Sequence, residues 1–192
     1  QARLEIYAGG IVAYPTETFF GLGVNALDSR AVEKLFVVKG RHPDRAVPML
    51  LPSRDSLERW ARRVTPLARR LMEAFWPGPL TLLLAARPGL PDLIVGQDGT
   101  LGVRETSLRW VQDWVAACGT LITSTSANRS GRSPATRGSQ VAREFGLHVD
   151  LILDAKGCAL PGPSTVVDAR RKRPVIVREG AIARKDIFEA AP

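Results

Sequence analysis

The chain has 192 residues, 45% of them hydrophobic and 24% charged, with a formal net charge of +8. That length fits a single domain over residues 1–192, able to hide roughly 70% of its unfolded surface. Apolar runs such as Leu80 to Ala86 are too short to cross a bilayer, and no basic-then-apolar leader opens the chain. Two cysteines, Cys118 and Cys158, make no disulfide scaffold and fit a reduced, cytoplasmic setting.

Gly10 to Tyr14 reads as a short buried strand. Ala31, Leu35 and Val38, with Val32 and Phe36 beside them, predict a helix over 30–38 capped by Asp28 or Ser29. A second helix is expected to begin after Ser53 and to run through Leu57 and Trp60. Thr65-Pro66 opens a third, with Leu67, Leu71 and Phe75 on one face, and Trp76-Pro77-Gly78-Pro79 ends it. Leu80–Ala86 and Gly99–Arg104 read as strands. Leu108–Cys118 reads as a helix closed by Gly119, and Leu121–Thr125 as a strand. Gln140–Phe145 is a short helix closed by Gly146. Leu151–Asp154, Thr165–Asp168 and Val175–Arg178 are late strands, and Arg184–Glu189 is a terminal helix. The late strands argue for a mixed sheet covered by helices rather than a strict βαβ repeat. Trp60, Trp76, Trp110 and Trp114 fall on helical patterns and are expected in the core.

Three polar segments each come after an apolar run or a helix: Pro15-Thr16-Glu17-Thr18-Phe19-Phe20-Gly21-Leu22-Gly23, Lys39-Gly40-Arg41, and Ser124-Thr125-Ser126-Ala127-Asn128-Arg129-Ser130-Gly131. Residues i and i+2 of an extended backbone share a face. Thr16 with Thr18, Lys39 with Arg41, and Ser126 with Asn128 would then each offer a pair to one pocket. Hydroxyls, an amide and two cations suit a small anion such as a nucleoside phosphate. Each segment has a plainer explanation: hydroxyl caps in a turn, a lysine complementing a helix dipole, a polar surface loop. Gly21 and Gly23 would allow close backbone approach or positive φ, but neither a Walker loop nor a dinucleotide fingerprint is present. His42 and His148 lack ligand-like neighbours, so no protein metal cage is expected. Of 27 basic residues 22 are arginines, which reads either as a compositional bias or as a polyanionic partner. Arg170-Arg171-Lys172-Arg173 is a nucleic-acid grip or a solvated hairpin tip.

In order along nearly the whole chain, six segments resemble the YrdC-like family of threonylcarbamoyl-adenylate synthases. Tyr14 to Gly23 resembles its P-T-E-T-x-[YF]-G-L-G, Lys39-Gly40-Arg41 its K-x-R, and Trp76-Pro77-Gly78-Pro79-Leu80-Thr81 its W-P-G-P-L-T. Ser126-Ala127-Asn128-Arg129-Ser130-Gly131 resembles its S-A-N-x-S-G, Pro163-Ser164-Thr165-Val166-Val167-Asp168 its S-T-V-[VI]-D, and Arg178-Glu179-Gly180 its R-E-G. The resemblance implies an α/β fold, a twisted mixed β-sheet with helices packed on it around a concave basic cavity, and one catalytic domain. It implies the conversion of L-threonine, bicarbonate and ATP to threonylcarbamoyl-AMP and pyrophosphate, with Mg2+ carried on the nucleotide phosphates and no metal ligand from protein side chains. A partner tRNA threonylcarbamoyl transferase would use the product, and direct tRNA or RNA contact is a further expectation.

The resemblance assigns Lys39 and Arg41 to catalysis at the phosphates. It assigns Ser126, Asn128, Ser133 and Arg178 to ATP and Thr16, Arg104 and Ser164 to threonine, with Arg104 on the carboxylate. Thr18, Thr81 and Ser124 are expected lining residues. The sequence departs from the family after Arg41, where His42 displaces a proline by one and Arg45 takes a polar position. A threonine-contacting histidine of some relatives is replaced by Met49-Leu50-Leu51, and Glu105-Thr106-Ser107 succeeds Arg104 where a proline is common. Two other readings stand beside the synthase: an RNA-binding or ribosome-assembly protein using the basic cavity, and a carbamoyl-transfer domain of the hydrogenase-maturation type.

Overall fold

The computed structural model describes residues 1–42, 47–129 and 131–191. Its helices are α1 (Ala2–Tyr7), α2 (Ser29–Lys39), α3 (Pro66–Phe75), α4 (Arg109–Cys118), α5 (Gly138–Phe145) and α6 (Arg184–Glu189). Its strands are β1 (Val12–Pro15), β2 (Phe20–Gly23), β3 (Met49–Leu50), β4 (Ala61–Arg63), β5 (Leu80–Ala86), β6 (Thr100–Arg104), β7 (Ile122–Thr123), β8 (Thr125–Ser126), β9 (Leu151–Ile152), β10 (Thr165–Asp168) and β11 (Val175–Arg178). One sheet runs β8-β2-β1-β9; the other runs β11-β10-β5-β6-β3-β7, with β4 also pairing β5. Both are mixed: β1–β9, β3–β6 and β5–β10 are parallel, and the remaining pairs are antiparallel.

The β1 strand shows how the sequence builds two layers of core. Ile11 and Ala13 face the main cluster with Phe20, Leu22, Leu35 and Leu82. Val12 and Tyr14 face a second cluster with Ile6, Val111, Val115 and Ile122. The period of two directs alternate side chains to opposite faces, and both faces are covered. The Tyr14 hydroxyl donates to the Thr123 carbonyl at 2.8 Å, and burial pushes its pKa up. Gly21 and Gly23 lie inside β2, outside the positive-φ region. A Cβ on Gly23 would stand 2.7 Å from the Tyr14 ring and from Ile122. Gly23 makes room for that aromatic ring, while Gly21 touches the same ring and also lines the cavity described below.

Asp28 caps α2 by accepting from the Arg30 and Ala31 amides, and Gly40 closes it in the left-handed conformation. Thr65 caps α3 and also donates to the Ala169 carbonyl at 2.7 Å, tying the helix start to the end of β10. Thr65→Ala removes both bonds. It is expected to cost about 1.5 kcal/mol and to lower Tm by roughly 3–6 °C. An unchanged calorimetric Tm would show that neither bond matters in solution.

Several expectations change. The segment after Ser53 forms a 3-10 helix, Arg54–Arg59, rather than an α-helix. The run Leu121–Thr125 is not one strand: at Ser124 the amide turns to the Pro48 carbonyl, and β7 and β8 join different sheets. Trp60 and Trp76 are buried and Trp114 is partly so, but Trp110 is 37% exposed in the first turn of α4. Cys118 and Cys158 are unpaired, and burial pushes the Cys118 thiol up to about 11.

Candidate active site

A cavity of about 430 Å3 opens where the two sheets meet. The topology explains its chemistry. Thr81 lies near the start of β5 and Ser164 just before β10, while Arg104 ends β6 and Arg178 ends β11. Because β6 and β11 run antiparallel to β5 and β10, these starts and ends fall at one edge. The turn between β1 and β2 adds Thr16 and Thr18, the β7–β8 junction adds Ser124 and Ser126, and Arg41 reaches in from beyond α2. Nine of the twelve candidate residues thus line one hollow: Thr16, Thr18, Arg41, Thr81, Arg104, Ser124, Ser126, Ser164 and Arg178.

Lys39, Asn128 and Ser133 are not on that wall. Lys39 is 3% exposed. Its Nζ donates to the Ser126 carbonyl and, at 2.7 Å, to the Asn128 carbonyl. It supports the loop over the cavity from beneath. Burial, and then the nearby Arg41 charge, bring its pKa down to about 8, against a smaller upward pull from Glu144. Asn128 accepts from the Ser126 hydroxyl at 2.6 Å, and its amide donates to the Arg129 and Arg132 carbonyls. Its side chain thus holds the loop together. Ser133 is exposed. Arg45 and Ser130 lie outside the described residues.

At the other side of the hollow, proton directions can be assigned. Thr16 donates its hydroxyl to the Phe19 carbonyl at 2.8 Å, so in the 2.9 Å contact between the two hydroxyls Thr18 is the donor. Arg104 Nη1 donates to Thr18 at 3.3 Å. The Arg104 side chain is 7% exposed and pairs with Glu17 Oε2 at 3.6 Å. Its Nε and Nη2, and Glu17 Oε1, are buried with no hydrogen-bond partner among the described residues. Buried donors are normally satisfied, and desolvation makes an unpaired one expensive. A planar guanidinium that lines the cavity and keeps buried, unsatisfied donors has the chemistry to match a carboxylate.

Arg178 donates to the Ser164 carbonyl at 2.7 Å and to its hydroxyl at 3.1 Å, and that hydroxyl lies 2.9 Å from Thr81 Oγ1. Burial of its guanidinium, and then the Arg104 charge, lower the Arg178 pKa. Two cations facing across one hollow repel, and an anion between them removes the penalty. Phe19, Phe20, Pro48, Pro134 and Pro163 supply apolar wall.

Glu17 was not a site candidate from sequence. It accepts from Thr106 Oγ1 at 2.5 Å and from the Ser107 amide, and it orients Arg104. Its signal in the sequence was a lone carboxylate between two threonines at the end of an apolar run. The same contacts give Thr106 and Ser107 a purpose at the position where the family commonly has a proline.

Residues 5–180 match the model of the Sua5, YciO and YrdC family, which carries the description "Telomere recombination". A protein of Pyrococcus abyssi named threonylcarbamoyl-AMP synthase is 35% identical over 182 residues, which are 95% of this chain and 54% of that protein. A protein of the same name from Nitrosococcus oceani is 37% identical over 165 residues, covering 86% of this chain and 89% of its own. The crystal structure of P. abyssi Sua5 complexed with L-threonine superposes with a TM-score of 0.94 at 34% identity, over 98% of this chain and 56% of that one. The chain thus spans about half the length of the Pyrococcus protein and most of the Nitrosococcus one. By the family match and by these relatives, the chain belongs to the Sua5/YciO/YrdC family.

Proposed function

We propose that the chain is an L-threonylcarbamoyladenylate synthase. The observation that carries this reading is the buried Arg104, with unsatisfied donors, lining one hollow with Arg178 and Arg41. Arg104 takes the threonine carboxylate, beside Thr16, Thr18, Ser164 and Thr81. Arg41, Ser126 and Arg178 take the nucleotide phosphates, with the Lys39 charge beneath the loop.

The threonine amine, after losing a proton, adds to CO2 derived from bicarbonate and becomes a carbamate. A carbamate oxygen then attacks the α-phosphorus of ATP, forming the new P–O bond as pyrophosphate leaves. Negative charge grows on the phosphoryl oxygens and on the leaving group, which Arg41 and Arg178 would neutralise. Such preorganised charge supplies most of the acceleration in phosphoryl transfers. Holding both substrates supplies much of the rest, and no covalent nucleophile is required.

ATP enters as its Mg2+ complex. The Mg2+ would be carried on the nucleotide phosphates. The product suits a transferase that acts on tRNA. Two unpaired cysteines fit a reducing cytoplasm, and no helix among the described residues is long and apolar enough to cross a membrane.

The test is pyrophosphate release from ATP and bicarbonate. L-threonine is expected to raise it at least tenfold, a transition-state gain of about 1.4 kcal/mol. Equal release with and without threonine would refute the assignment.

A further inference from the structure

The loop that follows β6 competes with Arg104 for one carboxylate oxygen. Thr106 is 2% exposed, and its hydroxyl donates to Glu17 Oε2 at 2.5 Å. The Ser107 amide donates to the same oxygen at 3.3 Å. Arg104 Nη2 stands 3.6 Å from it, too far for a good hydrogen bond. Glu17 and Arg104 are both buried, so solvent does not loosen the pair. A carboxylate and a guanidinium in such a place frequently close into a fork of two parallel bonds. Here the loop takes Oε2, while Glu17 Oε1 and Arg104 Nε and Nη2 have no hydrogen-bond partner among the described residues.

Thr106 is itself held from both sides. Gln112, in α4, donates to its carbonyl at 2.6 Å, and the Leu108 amide donates to its hydroxyl oxygen at 3.4 Å. On the other flank the Glu105 carbonyl accepts from the Gly78 amide at 2.8 Å, and the Glu105 carboxylate pairs with Arg54 at 3.3 Å. The hydroxyl is thus fixed with its proton on Glu17.

We propose that Thr106 is a positioning residue that holds the Glu17 carboxylate back from Arg104 and so keeps the guanidinium available to the substrate carboxylate. The inference rests on the synthase reading, which puts the threonine carboxylate on Arg104. A complete Glu17–Arg104 fork would satisfy both buried groups within the protein, and the substrate would have to break it. With Thr106 on Oε2, Glu17 still supplies the opposite charge that a buried cation needs and leaves the donors of Arg104 to the ligand. Arg104 lines the cavity, whereas Thr106 and Glu17 do not, so Thr106 acts through its neighbours rather than on the substrate.

The test is Thr106→Val, which removes the hydroxyl and nearly keeps the shape. Glu17 is then free to close on Arg104. The KM for L-threonine is expected to rise roughly tenfold, the effect of one charge-assisted hydrogen bond. The kcat and the KM for ATP should stay within about twofold, since only ground-state capture of threonine is altered. Losing one buried hydrogen bond should lower Tm by no more than about 4 °C. Thr106→Ser keeps the donor and should restore most of the threonine affinity. In a Glu17→Gln background, Thr106→Val should change the threonine KM by less than about twofold, because the two residues act as one unit. Where Glu17→Gln does not fold, the comparison of Thr106→Val with Thr106→Ser decides alone. A lower Tm with an unchanged threonine KM in Thr106→Val would make the residue merely structural and overturn the inference. Equal loss of threonine affinity in Thr106→Val and Thr106→Ser would overturn it too. A wild-type chain without threonine-dependent pyrophosphate release would refute the synthase reading and this inference with it. Wild-type turnover with an unaltered Thr106→Val would leave that reading standing and overturn this inference alone.

Discussion

Arg104→Gln is expected to raise the KM for L-threonine roughly a hundredfold while leaving the KM for ATP within about threefold. Each charge-assisted hydrogen bond contributes about 1.5–3 kcal/mol, and every 1.4 kcal/mol is about tenfold. Losing the fork on a carboxylate removes two such bonds, imperfectly replaced by one amide. The substitution also strands Glu17, which is 5% exposed and already has one unpartnered oxygen. Breaking a buried ion pair from one side costs about 3–5 kcal/mol, so Tm should fall as well. Arg104→Lys separates the two effects. It keeps a cation beside Glu17 and loses the planar fork, so it should recover most of the stability and only part of the threonine affinity. Steady-state kinetics in each substrate give the answer. A rise in the KM for ATP alone would mean that the two sides of the cavity have been assigned the wrong way round.

The second large effect concerns Lys39 and pH. Its pKa lies near 8 in the folded chain against 10.5 ordinarily, first because of burial and then because of Arg41. The folded state therefore binds this proton more weakly than the unfolded chain does. The penalty for holding the charge is fully present below about pH 8 and is relieved as pH rises toward the unfolded value, a swing of roughly 3 kcal/mol. Stability from this group thus rises with pH, while function moves the other way. Above about pH 8 the cation beneath the Ser126–Asn128 loop is lost, and the triphosphate loses part of its attraction. ATP affinity is expected to fall through that range, and ATP binding near pH 8 should draw a proton into the protein. Titration calorimetry in buffers of differing ionisation enthalpy measures that uptake. It should be present in the wild type and absent in Lys39→Met, whose ATP affinity should be at least tenfold weaker at neutral pH. Binding with no proton uptake, and with the same affinity on both sides of pH 8, would show that Lys39 is not coupled to the nucleotide.

The same lysine shows where sequence reasoning reached its limit. Pairing Lys39 with Arg41 assumed an extended backbone. In fact Lys39 closes a helix and Gly40 is left-handed, so the two side chains part: Arg41 enters the cavity and Lys39 goes under the loop. The Thr16–Thr18 pair was legible because that turn does bring the two hydroxyls together. Arg104, Ser164 and Arg178 were visible only through the family resemblance. Nothing local in the sequence says that β6 ends beside the start of β5. The α2, α3 and α4 helices were readable from spacing and caps, since Asp28, Thr65 and Gly119 act where their chemistry suggests. The two-residue strands β3, β7 and β8 and the three-residue β4 were not. A run that short carries no period, and its pairing is set by distant partners. The β2 strand was hidden by its glycines, whose reason is the Tyr14 ring on the neighbouring strand.

Isotope tracing reaches the chemistry itself: 13C-bicarbonate is supplied with ATP and L-threonine, and the products are analysed by mass spectrometry. The expected product is a threonylcarbamoyl-AMP that carries the label in its carbamoyl carbon, formed in step with pyrophosphate. Pyrophosphate accompanied by an unlabelled adenylate, such as threonyl-AMP formed through the carboxylate, would contradict it. That outcome would mean that Arg104 does not hold the carboxylate away from the phosphorus.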